Sequence, residues 1–469
     1  MQQDFDAQRR YTLTNDRRFF AKNNHLHFDN VDLTEIAARY PSPLFIYSAS
    51  EIHRNIEEIR SAFKDHPTTK ICYAMKACSL LEILRSIRDA GICVDANSAN
   101  EIRRCLAVGF KAADIVYNGV VKRTEELEFA ILQKLHAINV DSEYELEQID
   151  AISRRLRIEA RVCIRVEPNV KASTHEGLVT AYRAKSGVDL AEAKRICFKA
   201  MQMRFVKLCG LHMHVGDQVP DAEPFRDATR VLVNIAREIE QESVFKFEMI
   251  NVGGGIPTPY RYQQDRGNGG PDNMQPQIGA REFAQAIISE VHQWRTDVEI
   301  YIEPGRKIVG SAAVMLTRIE SKKHKTLLSE DGTIEGEVDW RMLNAGFNHI
   351  PDYKDWYFYI YNASRVEEAH NRQVRLGGPL CDGGDYFRHG PIGDNFLIPA
   401  DSDIGDVLAF LDVGAYQLEN QTVYNGHPRA AVAFIDHFHQ IRLIRRQETF
   451  EEMLNLEIGS IDFPKVCII

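Results

Sequence analysis

The sequence predicts an α/β protein that consists of a (β/α)8 barrel and a C-terminal, mostly antiparallel β domain. Between residues 70 and 303, short apolar runs alternate with amphipathic stretches of helical spacing. After residue 306, helical stretches become rare and turn residues separate strand-like runs. The length of 469 residues is sufficient for a large core domain and a second domain.

The apolar runs of the first part are the candidate barrel strands. Segments with helical periodicity, such as SANEIRRCLAVG and AREFAQAIISEVHQW, separate them. Eight strands joined by helical crossovers are the number that closes a barrel. An open doubly wound sheet is the alternative, because strand order cannot be read from the sequence. The candidate strands are KICYA (70–74), ICVD (92–95), DIVYN (114–118), AINVD (137–141), ARVCIRV (160–166), LCGLHMH (208–214), FEMINV (247–252) and EIYIE (299–303).

We expect an N-terminal segment in residues 1–50, the barrel in residues 51–305 and the β domain in residues 306–469. The run PLFIYSAS (43–50) predicts a strand that joins the C-terminal sheet. The stretch 258–277 is rich in Gly, Pro, Asn and Gln and predicts a long, functional loop after the seventh strand. Further candidate strands are AAVMLTRIESKK, GTIEGEVDW, WYFYIYNASRV, DVLAFLDVG, AAVAFIDH and QIRLIRR.

Composition excludes several classes of function. The net charge is −10, and no long basic run is present, which argues against nucleic acid or an anionic membrane as a partner. The N-terminus has no apolar signal core, and no run of about 18 apolar residues occurs that could span a bilayer, so a cytoplasmic protein is expected. The nine cysteines are scattered without a CxxC pair, which argues against a disulfide framework or a zinc ribbon.

Polar residues and glycines follow the predicted barrel strands, where such barrels carry their catalytic groups. Gly253, Gly254 and Gly255 end the seventh strand, and Arg306 follows the eighth. Consecutive glycines let backbone N–H groups approach an anion, and a guanidinium suits the same phosphate. A turn that ends the strand is the alternative for the glycines. The other strand-end residues are Lys76, Asp95, Asn118, Asp141, Arg165, His214 and Glu303.

Lys76 lies where the first barrel strand gives way to a helix, and we expect it to be buried. A lysine beside a phosphate site is the arrangement that pyridoxal 5'-phosphate (PLP) needs, because its aldehyde is carried on a lysine amine. Glu303 is placed to hold the pyridine nitrogen, and pairing with Arg306 is the alternative. No metal is predicted, although His212 and His214 form an HxH pair, because the other strand ends offer few further ligands. A core histidine is the alternative for His214.

Two motifs of the C-terminal domain are candidate parts of a site. GPLCDGGD (378–385) places Cys381 between turn-forming residues, followed by Asp382 and Asp385. The alternative there is a small buried cysteine beside a loop. DVGAYQ carries Tyr416 behind two small residues, which would let its phenol reach a site, whereas a core tyrosine is the alternative.

Six motifs in order, YAMKAC, GLHMHVGDQ, NVGGGIP, IEPGR, GPLCDGGD and DVGAYQ, make the chain resemble a known family. It resembles the alanine-racemase-like (fold type III) PLP decarboxylases, which include the diaminopimelate, ornithine and arginine decarboxylases. The resemblance runs from about residue 40 to 445. Within this superfamily, HMHVGDQVP, INVGGGIP and GPLCDGGDYF most resemble the bacterial D-ornithine/D-lysine decarboxylases.

The resemblance implies roles for individual residues. Lys76 would carry the cofactor, His214 would lie against its ring, and Glu303 would hold its ring nitrogen. Cys381 would protonate Cα after CO2 leaves. The residues implied to bind phosphate or to lie near the cofactor are Gly253, Gly254, Gly255, Arg306, Tyr416, Asp95 and Arg165. Those predicted to bind substrate are Asp382, for the distal amine, and Asp385.

The resemblance also implies a homodimer, because in this family the GPLCDGGD loop enters the site of the neighbouring subunit. Asp217 departs from the family pattern, in which a serine contacts phosphate; an acid there would repel phosphate, so Asp217 is not assigned to it. Asp382 replaces the glutamate usual in diaminopimelate enzymes, and a shorter acid suits a simple ammonium.

The sequence therefore predicts a cytoplasmic PLP-dependent carboxy-lyase that converts D-ornithine or D-lysine to putrescine or cadaverine. The alternatives with the same chemistry are meso-diaminopimelate decarboxylase and an L-ornithine or L-arginine decarboxylase. An inactive homologue with a binding or regulatory role is the alternative from another class, and a metal-dependent hydrolase that uses His212 and His214 is the least favoured.

Overall fold

The computed structural model of the chain describes residues 18–174, 176–260, 274, 276 and 278–457. Most of the predicted loop at 258–277 lies outside these residues. A small three-stranded antiparallel sheet, which the sequence analysis missed, comes first. The N-terminal elements are β1 (Phe19–Lys22), β2 (His25–Phe28), β3 (Val31–Asp32), α1 (Leu33–Arg39) and β4 (Leu44–Ser48).

The prediction of a (β/α)8 barrel is confirmed by a closed ring of parallel strands, each of which overlaps one predicted run. The ring closes because the last barrel strand, β13, pairs with the first, β5. The short strand β10 pairs with the end of β9 outside the ring. The strands are β5 (Lys70–Ala74), β6 (Cys93–Ala96), β7 (Ile115–Tyr117), β8 (Ala137–Val140), β9 (Ala160–Glu167), β10 (Val188–Asp189), β11 (Val206–His212), β12 (Met249–Asn251) and β13 (Glu299–Ile302).

Amphipathic helices surround the barrel and bury one face each against it. In α8, for example, Phe225, Leu232 and Ile239 are buried at intervals of seven residues. Serine side chains cap α4 and α6 by accepting hydrogen bonds from backbone N–H groups of the first turn. The helices are α2 (Ala49–Ala62), α3 (Leu81–Asp89), α4 (Ala99–Ala107), α5 (Thr124–Gln133), α6 (Glu143–Leu156), α7 (Leu190–Gln202), α8 (Glu223–Glu242), α9 (Ala280–His292) and α10 (Arg306–Val309).

The C-terminal part forms a second sheet, and the prediction that it is mostly antiparallel is confirmed. The long strand β14 pairs antiparallel with β15, β19 and β4. Two neighbouring pairs, β15 with β17 and β4 with β20, are parallel. The elements are β14 (Ala313–Leu328), β15 (Ile334–Leu343), β16 (Ile360–Asn362), β17 (His370–Gly377), β18 (Phe396–Pro399), β19 (Val407–Leu411), β20 (Ala431–Ile435), β21 (Ile441–Arg445) and α11 (Phe450–Leu454).

The second sheet places one of its loops against the carboxyl ends of the barrel strands. The N–H of Tyr416 donates to the carbonyl of Ala77, just after β5, at 2.8 Å. The N–H of Gly414 donates to the carbonyl of Gly310, and the hydroxyl of Tyr47 donates to the carbonyl of Gly414. These bonds bring C-terminal residues to the rim of the barrel where its polar strand ends meet. Among the described helices, none has both the length and the apolar composition needed to cross a membrane.

Candidate active site

A cavity of about 460 Å³ lies at the carboxyl ends of the barrel strands. Its walls come from the ends of β5, β6, β7, β9, β11 and β13 and from the C-terminal domain. The volume is within the range of sites that hold cofactor-sized ligands. The predicted site residues that line it are Lys76, Asp95, Arg165, His214, Gly255, Glu303, Arg306 and Tyr416.

Lys76 lies on a 3₁₀ turn, Met75–Ala77, directly after β5. Both neighbours in the turn are buried, whereas Lys76 is exposed and lines the cavity. The expectation of a buried lysine was therefore wrong. Strand β5 ends at Ala74, directly before the turn, so Lys76 lies beyond the strand. Its side chain therefore projects from the rim into the cavity and not into the barrel core.

Glu303 is buried at the base of the cavity, with amide and imidazole donors around its carboxylate. Oε1 accepts hydrogen bonds from Asn251 at 2.7 Å and from Asn118 at 2.9 Å. Oε2 lies 3.2 Å from Nε2 of His212. Burial by itself raises the pKa of Glu303, but the charge interaction and hydrogen bond with His212, together with the Asn251 amide, lower it overall. Glu303 is therefore held as a carboxylate. The alternative that it pairs with Arg306 is wrong, because Arg306 binds another acid.

Asp95 is a second buried carboxyl group beside Glu303. Its Oδ1 accepts from Nδ2 of Asn118, the same amide that contacts Glu303. Burial and the charge of Glu303 raise the pKa of Asp95 well above its ordinary value. The pKa values of the two carboxyl groups are therefore shifted in opposite directions, that of Glu303 downward and that of Asp95 upward.

His214 lines the cavity as a neutral imidazole. Its Nδ1 accepts a hydrogen bond from the N–H of Gly254 at 3.0 Å, which places its proton on Nε2. Burial, followed by the charges of Lys76 and Arg165, lowers the pKa of His214 to about 3. His214 and His212 bind different partners, Gly254 and Glu303 respectively.

The glycine turn provides fewer free donors than the sequence predicted. The N–H of Gly253 donates to Oδ1 of Asn251, and the N–H of Gly254 donates to His214. No described residue accepts from the N–H groups of Gly255 and Ile256, and both residues line the cavity. Of the three predicted glycine N–H donors, Gly253 and Gly254 are therefore already engaged, and Gly255 is still available to an anion. The N–H of Ile256 is a further donor that was not predicted. Gly254 is needed for close packing, because a Cβ there would lie 2.2 Å from the carbonyl oxygen of Glu303.

Arg306 is buried at one end of the cavity between aromatic rings. Its guanidinium carbon lies 4.4 Å from the ring centre of Trp356 and 4.6 Å from that of Tyr416. Its Nε and Nη2 donate to Oδ2 of Asp217 at 2.8 and 2.7 Å. Burial opposes the charge of Arg306, but Asp217 raises its pKa overall. Nη1 donates to the hydroxyl of Tyr260 at 3.0 Å.

Arg165 extends from β9 into the cavity, where Nη2 donates to Oγ of Ser186 at 3.0 Å and Nη1 lies 3.8 Å from Asp141. Lys185 also lines the cavity. Its ammonium makes no ion pair or hydrogen bond within the described part of the chain. The cavity wall therefore carries two basic residues, Arg165 and Lys185, in addition to Lys76 and Arg306.

The residues of the GPLCDGGD motif do not line the cavity of their own chain. Cys381 and Asp382 are exposed, and neither lines the cavity. Asp385 is buried, and its two oxygens accept from the N–H groups of Phe347 and Leu380 at 2.9 and 2.8 Å. These bonds show that the Asp385 carboxylate organises the loop, and its role in binding substrate stays a prediction. The alternative of a buried Cys381 was wrong.

The sequence analysis missed two cavity residues from the segment before β16. Asp352 accepts a hydrogen bond from Nε2 of Gln417 at 2.7 Å, and burial raises its pKa. Trp356 packs on Arg306. The run WYFYIYNASRV was predicted to be one strand, but only Ile360–Asn362 is, so Trp356 lies in an irregular segment. No periodic signal marks that segment.

Comparisons with known proteins agree with this geometry. The sequence model of the family described as pyridoxal-dependent decarboxylase, pyridoxal binding domain, matches residues 49–310. The diaminopimelate decarboxylase of Pseudomonas aeruginosa is 30% identical over 439 residues, which cover 93% of this chain and 97% of that protein. The diaminopimelate decarboxylase of Methanocaldococcus jannaschii is 30% identical over 452 residues, 93% of this chain and 96% of the relative.

Solved structures are similar over nearly the same extent. The crystal structure of the diaminopimelate decarboxylase of M. jannaschii in complex with L-lysine has a TM-score of 0.82 and 28% identity, and the match covers 95% of this chain and 98% of that one. The Helicobacter pylori diaminopimelate decarboxylase complexed with L-lysine has a TM-score of 0.78 and 28% identity, over 90% of this chain and 98% of that one. This chain is thus similar to these relatives in fold and in sequence along most of its length.

Proposed function

The chain belongs to the pyridoxal-dependent decarboxylase family, and from this premise we propose that it removes the α-carboxylate of a diamino acid, with meso-diaminopimelate as the first candidate. The observation that carries the proposal is the cavity in which Lys76 shares its walls with Glu303, His214 and Arg306. Its cofactor is PLP, and its reaction class is that of a carboxy-lyase.

The donor set of the cavity fits PLP. Lys76 offers an amine, Glu303 offers a carboxylate for the ring nitrogen, and the N–H groups of Gly255 and Ile256 are available to a phosphate. When bound, PLP supplies an electron-poor ring that accepts the electron pair left on Cα as CO2 departs. Two acids at the Arg306 end of the cavity, Asp217 and Asp352, do not suit an anion.

We assign the chain's residues as follows. Lys76 holds the cofactor through its amine. Glu303 keeps a proton on the ring nitrogen, because its donors hold it ionised. His214 is neutral, so it contacts the ring without a second positive charge that would compete for the same electrons. These three residues position and polarise the cofactor, and all three are supplied by one chain.

The proton donor comes from elsewhere. Cys381 and Asp382 are exposed on a loop that does not line the cavity of its own chain. We propose a homodimer in which this loop enters the cavity of the neighbouring subunit. There the Cys381 thiol donates its proton to Cα, and the Asp382 carboxylate accepts the distal ammonium of the substrate.

Two features support meso-diaminopimelate. The relatives compared above are named diaminopimelate decarboxylases. The distal end of that substrate carries both an amine, which Asp382 of the neighbouring subunit would accept, and a carboxylate. Lys185 lines the cavity, has no ion-pair partner among the described residues and would bind that carboxylate. Lys185 is the kind of distal cation that a dicarboxylic substrate requires.

D-ornithine and D-lysine form the second candidate, as the sequence motifs predict. The observation that favours them is Asp382, a short acid that follows Cys381 and suits a simple ammonium. A substrate with a single distal ammonium uses this acid and offers no carboxylate to Lys185.

The test is CO2 release from separate samples of meso-diaminopimelate, D-ornithine, D-lysine, L-ornithine, L-lysine and L-arginine. We expect turnover of meso-diaminopimelate; turnover of the D-diamines alone would select the second candidate, and turnover of L-amino acids alone would refute both. Lys76→Ala should abolish the absorbance band that borohydride can trap on the protein, and Lys185→Ala should remove turnover of meso-diaminopimelate selectively. If borohydride still traps the cofactor on Lys76→Ala, the assignment of Lys76 is refuted.

A further inference from the structure

Asp217 holds the edge of Arg306 that a phosphate would use. Both Nε and Nη2 donate to the single oxygen Oδ2, at 2.8 and 2.7 Å. The Nε/Nη2 edge is one of the two edges with which a guanidinium grips a phosphate through parallel hydrogen bonds. Both residues line the cavity, and Arg306 is only 4% exposed, so solvent screens the pair weakly.

Arg306 has little remaining freedom to offer a different edge. A guanidinium has five N–H groups; two of those on Arg306 bind Asp217, and a third, on Nη1, binds the hydroxyl of Tyr260 at 3.0 Å. The rings of Trp356 and Tyr416 lie over the guanidinium at 4.4 and 4.6 Å and restrict its rotation. Full bidentate binding through Nε requires Asp217 to withdraw.

The charge balance leads to the same conclusion. The ion pair of Asp217 and Arg306 is neutral as a unit, whereas a phosphate monoester brings between one and two negative charges. The other donors at this end, the N–H groups of Gly255 and Ile256, are uncharged. A carboxylate this close to a bound phosphate opposes binding, because like charges in a weakly screened site repel strongly.

We propose that Asp217 is a built-in counter-ion that competes with the cofactor's phosphate for Arg306 and lowers the affinity of the chain for phosphate and for PLP. The inference rests on the proposed function, in which that phosphate binds at Arg306. Because Asp217 occupies the Nε/Nη2 edge of Arg306, binding of that phosphate at this edge exchanges one anionic partner for another.

The experiment measures the affinity of the apoprotein for inorganic phosphate and for PLP by calorimetry at fixed ionic strength. Asp217→Asn and Asp217→Ser remove the competing charge, and Asp221→Asn is the matched control, because it removes the same charge from a residue that does not line the cavity. We expect both Asp217 variants to bind inorganic phosphate at least tenfold more tightly than wild type, which corresponds to about 1.4 kcal/mol. The control should match wild type.

Unchanged or weaker phosphate binding in both Asp217 variants would overturn the proposal, since Asp217 would then only orient Arg306. Borohydride trapping of PLP on wild type separates this result from a failure of the proposed function. If PLP is trapped and the phosphate affinity of the variants is unchanged, only the proposed role of Asp217 is refuted. If PLP is trapped neither on wild type nor on the variants, the proposed function and the proposed role of Asp217 are both refuted. A crystal structure of the wild-type holoenzyme is the second test, in which Asp217 still bonded to Nε and Nη2 beside a bound phosphate would refute competition even if the variants do not fold.

Discussion

Lys76 and Cys381 lie on one chain but not at one site, because Lys76 lines the cavity and Cys381 is exposed outside it. If the loop with Cys381 completes the cavity of a partner, two defective variants should restore each other. We predict that Lys76→Ala and Cys381→Ala, co-expressed in equal amounts with different affinity tags, regain decarboxylase activity when they assemble together. Each variant alone should be inactive or slow.

The size of the recovery follows from the placement of the two residues. Random assembly of equal amounts gives mixed dimers in about half of all cases. In a mixed dimer, the cavity of the Cys381→Ala chain has its own Lys76 and receives Cys381 from the partner, so one of the two sites is intact. The mixture should therefore show roughly a quarter of wild-type activity, and tag-purified mixed dimers roughly a half.

The matched control pairs two lesions of the same cavity. Lys76 and Glu303 both line the cavity of a single chain. A mixed dimer of Lys76→Ala and Glu303→Gln therefore contains no intact site, and its activity should not exceed that of the parents. CO2 release from both mixtures, measured at equal protein concentration with the parents subtracted, is the assay. A Lys76→Ala and Cys381→Ala mixture that is no more active than its parents would refute the shared site.

Three further predictions follow from single residues. Glu303→Gln replaces the carboxylate by a neutral amide, so kcat at saturating PLP should fall about 100-fold or more while borohydride still traps the cofactor; a fall of only a few fold would refute the role of Glu303. Gly254→Ala puts a Cβ 2.2 Å from a backbone oxygen and should cost about 1–3 kcal/mol in urea unfolding, whereas Gly336→Ala, which meets nothing within 4 Å, should cost little; equal effects would contradict the packing argument. Burial lowers the pKa of His349 from 6.5 to about 4, so the unfolded chain binds a proton more readily than the folded one, and the free energy of unfolding should fall by up to about 3 kcal/mol as pH drops from 6.5 to 4. The variant His349→Gln should lack this fall. If the variant shows the same fall as wild type, His349 is not its cause.

The periodicity of the sequence was enough to predict the barrel and the rim on which the site lies. Alternating apolar and amphipathic segments report local burial, and parallel strands that close into a ring bring their carboxyl ends to one edge. Lys76, His214, Glu303 and Arg306 could therefore be expected together from the sequence, since each lies at or just after the end of a strand. Short elements without periodicity, such as β1 to β3, β17 and β18, gave no such signal.

The direction in which a side chain points could not be predicted from the sequence, even within one short motif. Asp382 and Asp385 are the same residue type three positions apart, yet the first is exposed and the second is buried with both oxygens bound to backbone N–H groups. The buried environment of Asp385 is built by Phe347 and Leu380, and Phe347 comes from a segment 38 residues away. Local spacing contains no information on such a partner.

The sequence by itself determined which residues reach the rim of the barrel, because that depends on where each strand ends. Only the tertiary structure decided how those residues pair. Arg306 binds Asp217, 89 positions earlier in the chain, and Glu303 binds Asn118 and Asn251 from two other strands. Charge neutralisation and hydrogen bonding act through distances in space, and those distances are fixed by closure of the barrel and by docking of the second sheet onto its rim.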